Sequence, residues 1–580
     1  MASENGNATG AESTEVHANR QLIQEARGRG PGALFGAFLK LSGPGWLQSA
    51  ITLGGGSLAS SLYLGVLAGT ALLWLQPLAM IIGVIMLSAI SYVVLSTGQR
   101  PFRAINEHVS PVLGWGWLIA TMMANIVWSL PQFSLATAAV RQNLMPGVFG
   151  SMGDTSGKVI VGLAIAILCT IVVVLYDRGQ RGAKVCDIIL KVMVAVIIVS
   201  FFGVVIKLTA AGDGIKWGSV FAGLIPNFSL LSSPPKTLQA EIANVATAYQ
   251  PFWNKIVVSQ QRGVMIAAAA TAVGINMTFL LPYSMLRRGW DSEFRGMAIF
   301  DLATGLFIPF ILVTGCVVIV AATQFHAIPA AGFLGEKDAN GMLVQPEKKL
   351  VGKYMGLAKK RVAAEIGKEA FAALSADAQK ATVAALPEAD RRLAAMLVKR
   401  DAFGLANSLA PLTGKVYAHY VFGIGVVGMA VSSIIILMLI NGFVICEILD
   451  KPAHGKPYLI GCLMPLAGIL GPFIWRGRTQ FWLAVPTSNI AFVLLPIAYL
   501  SFAFLLNSKK LLGDAMPTGK ARLIWNLLVF PSAGLAAVGS VWKLWTGLGW
   551  LGIGILAVVL VLCAVVHTKR GSKAPAAETA

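Results

Sequence analysis

The sequence predicts an all-α, polytopic membrane protein whose first and sixth spanning helices are broken near their midpoints. Three observations lead there. Hydrophobic residues fill 56% of the 580 positions and charged residues only 12%, about half the roughly 25% of a soluble domain. The charges are segregated, with long stretches that have none and short basic stretches between them. Two apolar runs, one in each half, contain helix breakers: LGGGS at 53–57 and GINMTFLLPYS at 274–284.

A spanning helix needs ~20 mostly apolar residues. Runs of that kind fall at 46–68, 71–95, 113–140, 159–176, 185–207, 263–286, 297–323, 417–446, 457–475, 481–506, 522–544 and 548–567, giving twelve. The first holds Gly54, Gly55, Gly56 and Ser57 at its middle, where each glycine costs about 1 kcal/mol against alanine. The third carries Asn125, Ser129 and Gln132; with Gln48, Asn125 and Gln132 read as hydrogen-bond partners between helices. The sixth is interrupted by Gly274, Asn276, Thr278 and Pro282. Interrupted segments at matching places of two halves point to an inverted-repeat transporter, with two five-helix repeats and a site at the breaks.

The connections set orientation and domains. Arg100 and Arg103, then Arg178, Arg181 and Lys184, then Arg287, Arg288 and Arg295 fall on one side of the alternation. Lys451 and Lys456, the group Lys509, Lys510, Lys520 and Arg522, and the C-terminal Lys569, Arg570 and Lys573 fall on the same side. Both termini are therefore expected to be cytoplasmic. The long connection 208–262 contains Pro226, Pro234, Pro235, Pro251 and the aromatic run AYQPFW. The connection 326–411 is Ala-rich and charge-balanced, and it reads as two or three extramembrane helices with Pro387 opening or kinking one. The expected division is a polar N-terminal tail over 1–40, spans 1–7 over 41–325, a helical insertion over 326–411, spans 8–12 over 412–568 and a tail over 569–580. Residues 1–30 read as disordered and lack a basic stretch followed by an apolar run and cleavage site, so the first span itself should direct insertion.

The net charge of +20 would suggest nucleic acid in a soluble chain. Here basic cytoplasmic loops account for it, and no nucleic-acid partner is expected. The six cysteines form no CxxC pair, which argues against a disulfide framework or zinc site. GGGS lacks the lysine of a phosphate-binding loop, and no catalytic triad or metalloprotease motif is present. Neither an enzyme nor a cofactor is expected.

Several stretches resemble the Nramp family of divalent-metal transporters. GPGWLQSAITLGGGSLASSLYLG is similar to that family's first helix, which starts Gly-Pro-Gly and breaks at Asp-Pro-Gly-Asn. The link YDRGQRGAKVCDIILKVMVAV, the approach and eighth helix LAPLTGKVYAHYVFGIGVVGMAVSSIIILMLINGFV, and the tenth helix NIAFVLLPIAYLSFAFLLNSKKLLGD are also similar. The resemblance covers roughly 40–325 and 405–530. It implies a LeuT-like fold: two inverted five-helix repeats, with the substrate held where helices 1 and 6 unwind, plus about two extra C-terminal helices.

Carried over position by position, the resemblance also marks what has changed. The family's metal-binding Asp falls on Gly54, its Pro on Gly55 and its Asn on Ser57. The sixth-helix Ala-x-x-Met-Pro-His-Asn falls on Gly274 to Leu280, so Met277 is kept while Pro, His and Asn become Thr278, Phe279 and Leu280. The acidic pair of the third helix falls on Ser129 and Gln132, and the tenth-helix glutamine on Asn489. The substrate-binding set expected from the resemblance is therefore Gly54, Gly55, Gly56, Ser57, Gly274, Asn276, Met277, Thr278 and Asn489, with Met277 and Ser57 as the candidate metal ligands.

A dehydrated divalent cation at mid-membrane needs oxygen or soft ligands and a carboxylate to offset its charge. This set is neutral; Asp301 and Glu447 lie nearest and read as anchors near span ends. The expectation is a multi-pass transporter of the plasma membrane (inner membrane in a bacterium) with a small solute or ion as its partner. Metal ions are the class the family implies, with poor Mn²⁺ and Fe²⁺ transport and no proton coupling. Hydrated Mg²⁺, a small organic solute or an anion remain open as cargo, as does a binding or scaffold protein acting through 326–411. Oligomeric state is not legible.

Overall fold

The computed structural model describes residues 4–571 except 211, 213, 400–404, 406–409, 411–413, 415 and 475–483. Among these residues every element is helical apart from one isolated bridge, Lys337 to Leu343. The spans are α1a (Pro44–Thr52) and α1b (Gly55–Ala68), α2 (Leu75–Thr97), α3 (Pro111–Ala139), α4 (Asp154–Asp177), α5 (Gly179–Ala210), α6a (Gln250–Ala272) and α6b (Ile275–Arg287). There follow α7 (Ser292–Phe325), α8 (His419–Ile448), α9 (Gly455–Ile474), α10 (Ala484–Leu506), α11 (Gly519–Leu548) and α12 (Trp550–Lys569). Each is long and apolar enough to cross a membrane, provided that α1a and α1b are taken as one bent span and that α10 is taken with the short helix Lys509–Ala515, from which it is bent by 62°.

Burial grades these spans from the centre outward. The most apolar stretch of α6 is 94% buried, whereas that of α12 is 6% buried. Outer spans instead expose large apolar side chains such as Ile167, Val199, Val538 and Trp550, the pattern that a lipid environment favours. The half-helices of the first span sit at the core: α1a packs on α5, α7 and α8, and α1b on α6a and α7. Gly65 makes one such close approach, because a Cβ there would lie 2.6 Å from the Val318 carbonyl oxygen of α7. It acts as a packing residue.

Two expectations change. The N-terminal stretch is helical, Glu4–Arg29 and Pro31–Leu41, where a disordered tail was expected over 1–30. Ile23 is fully buried, and Arg20 and Arg27 pair with Asp291 and Glu293 at the start of α7. Local polarity concealed this because the partners lie more than 260 positions away. The sixth span also begins thirteen residues earlier than 263, at Gln250; Asn254, Lys255 and Arg262 had disguised its first turns. Residues 1–3 and 572–580 of the expected tails lie outside the described residues.

The 326–411 connection forms helices Lys348–Ile366, Lys368–Ala373, Ala376–Ala384 and Glu388–Met396, and Pro387 sits at the N-cap of the last. This insertion docks on α6a. Trp253 Nε1 donates to Asp390 Oδ1 at 2.6 Å, and the same carboxylate accepts from Arg361 Nε at 2.8 Å, all three side chains being buried.

Candidate functional site

The first span stops being helical at Leu53 and Gly54 and bends by 56° before α1b begins. The sixth breaks at Val273 and Gly274, both in extended conformation. Each break frees carbonyls on one side and N–H groups on the other, and neutral side chains satisfy many of them. Ser432 Oγ donates to Ala50 O at 2.8 Å, Ser433 Oγ to Ile51 O at 3.3 Å and Ser57 Oγ to Thr52 O at 2.5 Å. The Gly55 N–H donates to Gln132 Oε1 at 3.0 Å. At the second break Gln48 Nε2 donates to Met277 O at 3.2 Å, and the Met277 N–H donates to Asn276 Oδ1 at 3.0 Å.

Between the breaks lies a narrow cavity lined by Thr52, Gly54, Gly56, Ser57, Gln132, Thr271, Met277, Ser433 and Ser488, with apolar walls from Ile51, Trp128, Pro131 and Leu437. Its volume of about 20 Å³ accommodates roughly one water molecule. The one soft donor, Met277 Sδ, accepts from Thr52 Oγ1 at 3.1 Å. No carboxylate lines the cavity among the described residues, and no cluster of three His, Cys, Asp or Glu occurs among them.

The glycine triplet accounts for the tightness. Gly54 has φ −101°, which any residue can adopt, so conformation is not why glycine is there. A Cβ at Gly54 would collide with Ser433 Oγ; one at Gly55 would lie 2.8 Å from Leu135 Cδ2, and one at Gly56 3.0 Å from Thr271 Cγ2. Neighbouring spans fill the space beside all three glycines.

Not every expected residue faces this cavity. Gly54, Gly56, Ser57 and Met277 line it, and Gly55 holds Gln132 beside it. Gly274 packs on Trp128 instead. Asn276 turns away into an amide chain, donating to Asn125 Oδ1 at 3.1 Å, while Asn125 donates to Asn441 Oδ1 at 2.8 Å. Thr278 accepts from Trp117 Nε1 at 2.9 Å. The backbone of Asn489 belongs to α10, and its side chain lies outside the described residues. Ser129 donates to Ile126 O at 2.7 Å and packs on Gly468, away from the cavity.

Thr52, Thr271, Ser433 and Ser488 were not singled out in the sequence. Single hydroxyls in apolar helices recur along the whole chain, and only the fold gathers these four. Asp301 gains a structural role: buried in α7, it accepts from the Ser42 hydroxyl, the Gly43 N–H at 3.1 Å and the Gly45 N–H at 2.5 Å. It thereby caps the start of α1a. Glu447 accepts from Arg100 Nη1 at 3.3 Å at the far end of α8.

The natural resistance-associated macrophage protein-like (Nramp) family model matches residues 45–354 and 386–546, well over half of the chain. The fold is similar to that of the Eremococcus coleocola manganese transporter bound to an aromatic bis-isothiourea substituted compound. The TM-score is 0.59 at 13% identity, over 93% of this chain and 95% of that one. Two single-residue variants of the same transporter give TM-scores of 0.51 at 15% identity, over 92% of this chain and 95% of theirs. No curated protein matches by sequence.

Proposed function

The chain belongs to the Nramp family and has its LeuT-like fold, and on that premise we propose that it is a secondary transporter of metal ions. Alternating access would run around the breaks at 53–54 and 273–274, with both termini and the basic loops in the cytoplasm of a plasma or bacterial inner membrane and the 326–411 insertion on the opposite face.

The cargo site in this reading is neutral. The observation that carries it is that the freed backbone at the first break is satisfied by Gln132, Ser432, Ser433 and Ser57, all uncharged. Moving a bare Mn²⁺ or Fe²⁺ into such a site leaves two charges uncompensated in a low-dielectric interior. Mn²⁺ and Fe²⁺ are therefore transported poorly. No proton coupling runs through the third span, because neither Ser129 nor Gln132 titrates.

Hydroxyl and amide donors favour a second reading, in which the cargo is Mg²⁺ that keeps part of its hydration shell. A cavity for one water is then a closed state, and loading requires the half-helices to part. Titration of the purified protein with Mn²⁺ and Mg²⁺, followed by thermal unfolding, tests both readings. Stabilisation by Mg²⁺ and not by Mn²⁺ is the expected result; strong stabilisation by Mn²⁺ at low concentration contradicts the neutral-site account.

A further inference from the structure

A second cavity of about 440 Å³ lies near the ends of α1a, α5 and α6b, and basic side chains dominate its charge. Among the described residues, Lys40, Lys184, Lys191, Arg287 and Arg288 line it against one acid, Asp187. Part of this charge is already used: Arg288 pairs with Asp187, and Lys191 Nζ donates to Ser42 O at 2.6 Å. Arg287 Nη2 donates to Tyr176 O at 3.1 Å, with the guanidinium over the Tyr176 ring at 4.3 Å. Arg287 Nη1 and Asp187 Oδ1 remain buried without a hydrogen-bond partner.

A preference for basic cytoplasmic loops explains lysines in connections. It does not explain why basic side chains from helices α5 and α6b converge with Lys40 on one concave surface. Gathered cations repel one another unless an anion enters, and guanidinium groups suit the oxygens of phosphate. The volume is far too large for a bare halide, and basic pockets between helices at a cytoplasmic face recognise phosphate headgroups.

We propose that this pocket binds a phosphate-class anion, carried on a phospholipid headgroup or free in solution. Placing it at the cytoplasmic mouth rests on the orientation given above, whereas the binding chemistry does not depend on what the protein transports. A bound phosphate would lie among Lys40 just ahead of α1a, the lysines of α5 and the arginines ending α6b.

The test uses the full chain in nanodiscs and reads its melting temperature rather than transport, so it stands even if the metal-transport reading fails. Wild type is compared in phosphatidylcholine alone, in phosphatidylcholine with phosphatidylglycerol, and in phosphatidylcholine with added inorganic phosphate. A rise with phosphatidylglycerol only assigns a lipid headgroup, and a full rise with inorganic phosphate assigns a free anion. The variant with Lys40→Gln and Lys184→Gln loses most of the rise and binds the anion roughly tenfold more weakly. The exposed Lys40→Gln alone loses part of it, which guards against misfolding of the double variant. Lys510→Gln, far from the pocket, keeps the rise. No rise in either anionic condition, or equal rises in wild type and the double variant, overturns the proposal.

Discussion

Gly55 donates its backbone N–H to Gln132 Oε1 at 3.0 Å, so the third span caps the freed start of α1b with a neutral amide. Gln132→Leu leaves that N–H buried and unpaired and should cost about 1–3 kcal/mol. Gln132→Glu keeps an acceptor for that N–H at the cost of burying a carboxyl group, so it should lose less stability than the Leu variant. Thermal unfolding of both variants decides this. A Leu variant as stable as wild type would mean that the bond does not hold the break.

Gly54 and Ser433 compete for one space, because a Cβ at Gly54 collides with Ser433 Oγ. Gly54→Ala should destabilise by about 1–3 kcal/mol through overpacking, and Ser433→Gly in the same chain should recover most of it. Gly54→Asp, which places a carboxylate at the position the family uses, should not by itself create Mn²⁺ binding for the same steric reason. Titration calorimetry of Gly54→Asp with and without Ser433→Gly checks this, and Mn²⁺ binding by the single variant would contradict it.

Asp301 holds the first turn of α1a through the Gly43 and Gly45 N–H groups and the Ser42 hydroxyl. Asp301→Ala should cost about 2 kcal/mol or more, at or above the upper end of capping losses, and Asp301→Asn less. Amide exchange over 43–47 is the readout. Unchanged protection in the Ala variant would show that the cap is not needed.

His326 follows α7 and lies between Val66 O, 3.1 Å from Nδ1, and the Thr237 hydroxyl, 2.5 Å from Nε2. Burial, opposed by the bond to Val66, holds its pKa below the usual 6.5. The folded state then binds fewer protons than the unfolded one. The neutral form supplies stability above pH 6.5, and that stability is lost as pH falls through the lowered folded value. Wild type should therefore lose more stability than His326→Gln between neutral and mildly acidic pH. Parallel unfolding curves for the two proteins across that range would refute the assignment.

The fold was legible because its signals are local. Apolar runs, basic links and paired helix breaks each occupy one stretch of chain, and they placed both interrupted spans. The candidate site was only partly legible. Gly54, Gly56, Ser57 and Met277 line the cavity because they are the breaks themselves. Asn276 and Thr278 sit within the same turn, yet the helix carries them to other faces, where Asn125 and Trp117 engage them. Ser433 comes from α8, where nothing nearby marks it, and Thr271 precedes the second break as one lone hydroxyl among many in the chain. The triplet marks a helix break in the sequence, and the structure adds that neighbouring spans pack tightly against it.

An Nramp fold here surrounds a neutral site, with no carboxylate among the described residues that line it. The most direct test is Mn²⁺ uptake into proteoliposomes containing the wild-type chain, with internal Mn²⁺ and internal pH followed together. The expected result is Mn²⁺ uptake little above empty liposomes and no acidification tied to it, with or without an imposed pH gradient. Saturable Mn²⁺ uptake that is driven by a proton gradient and acidifies the lumen would contradict it.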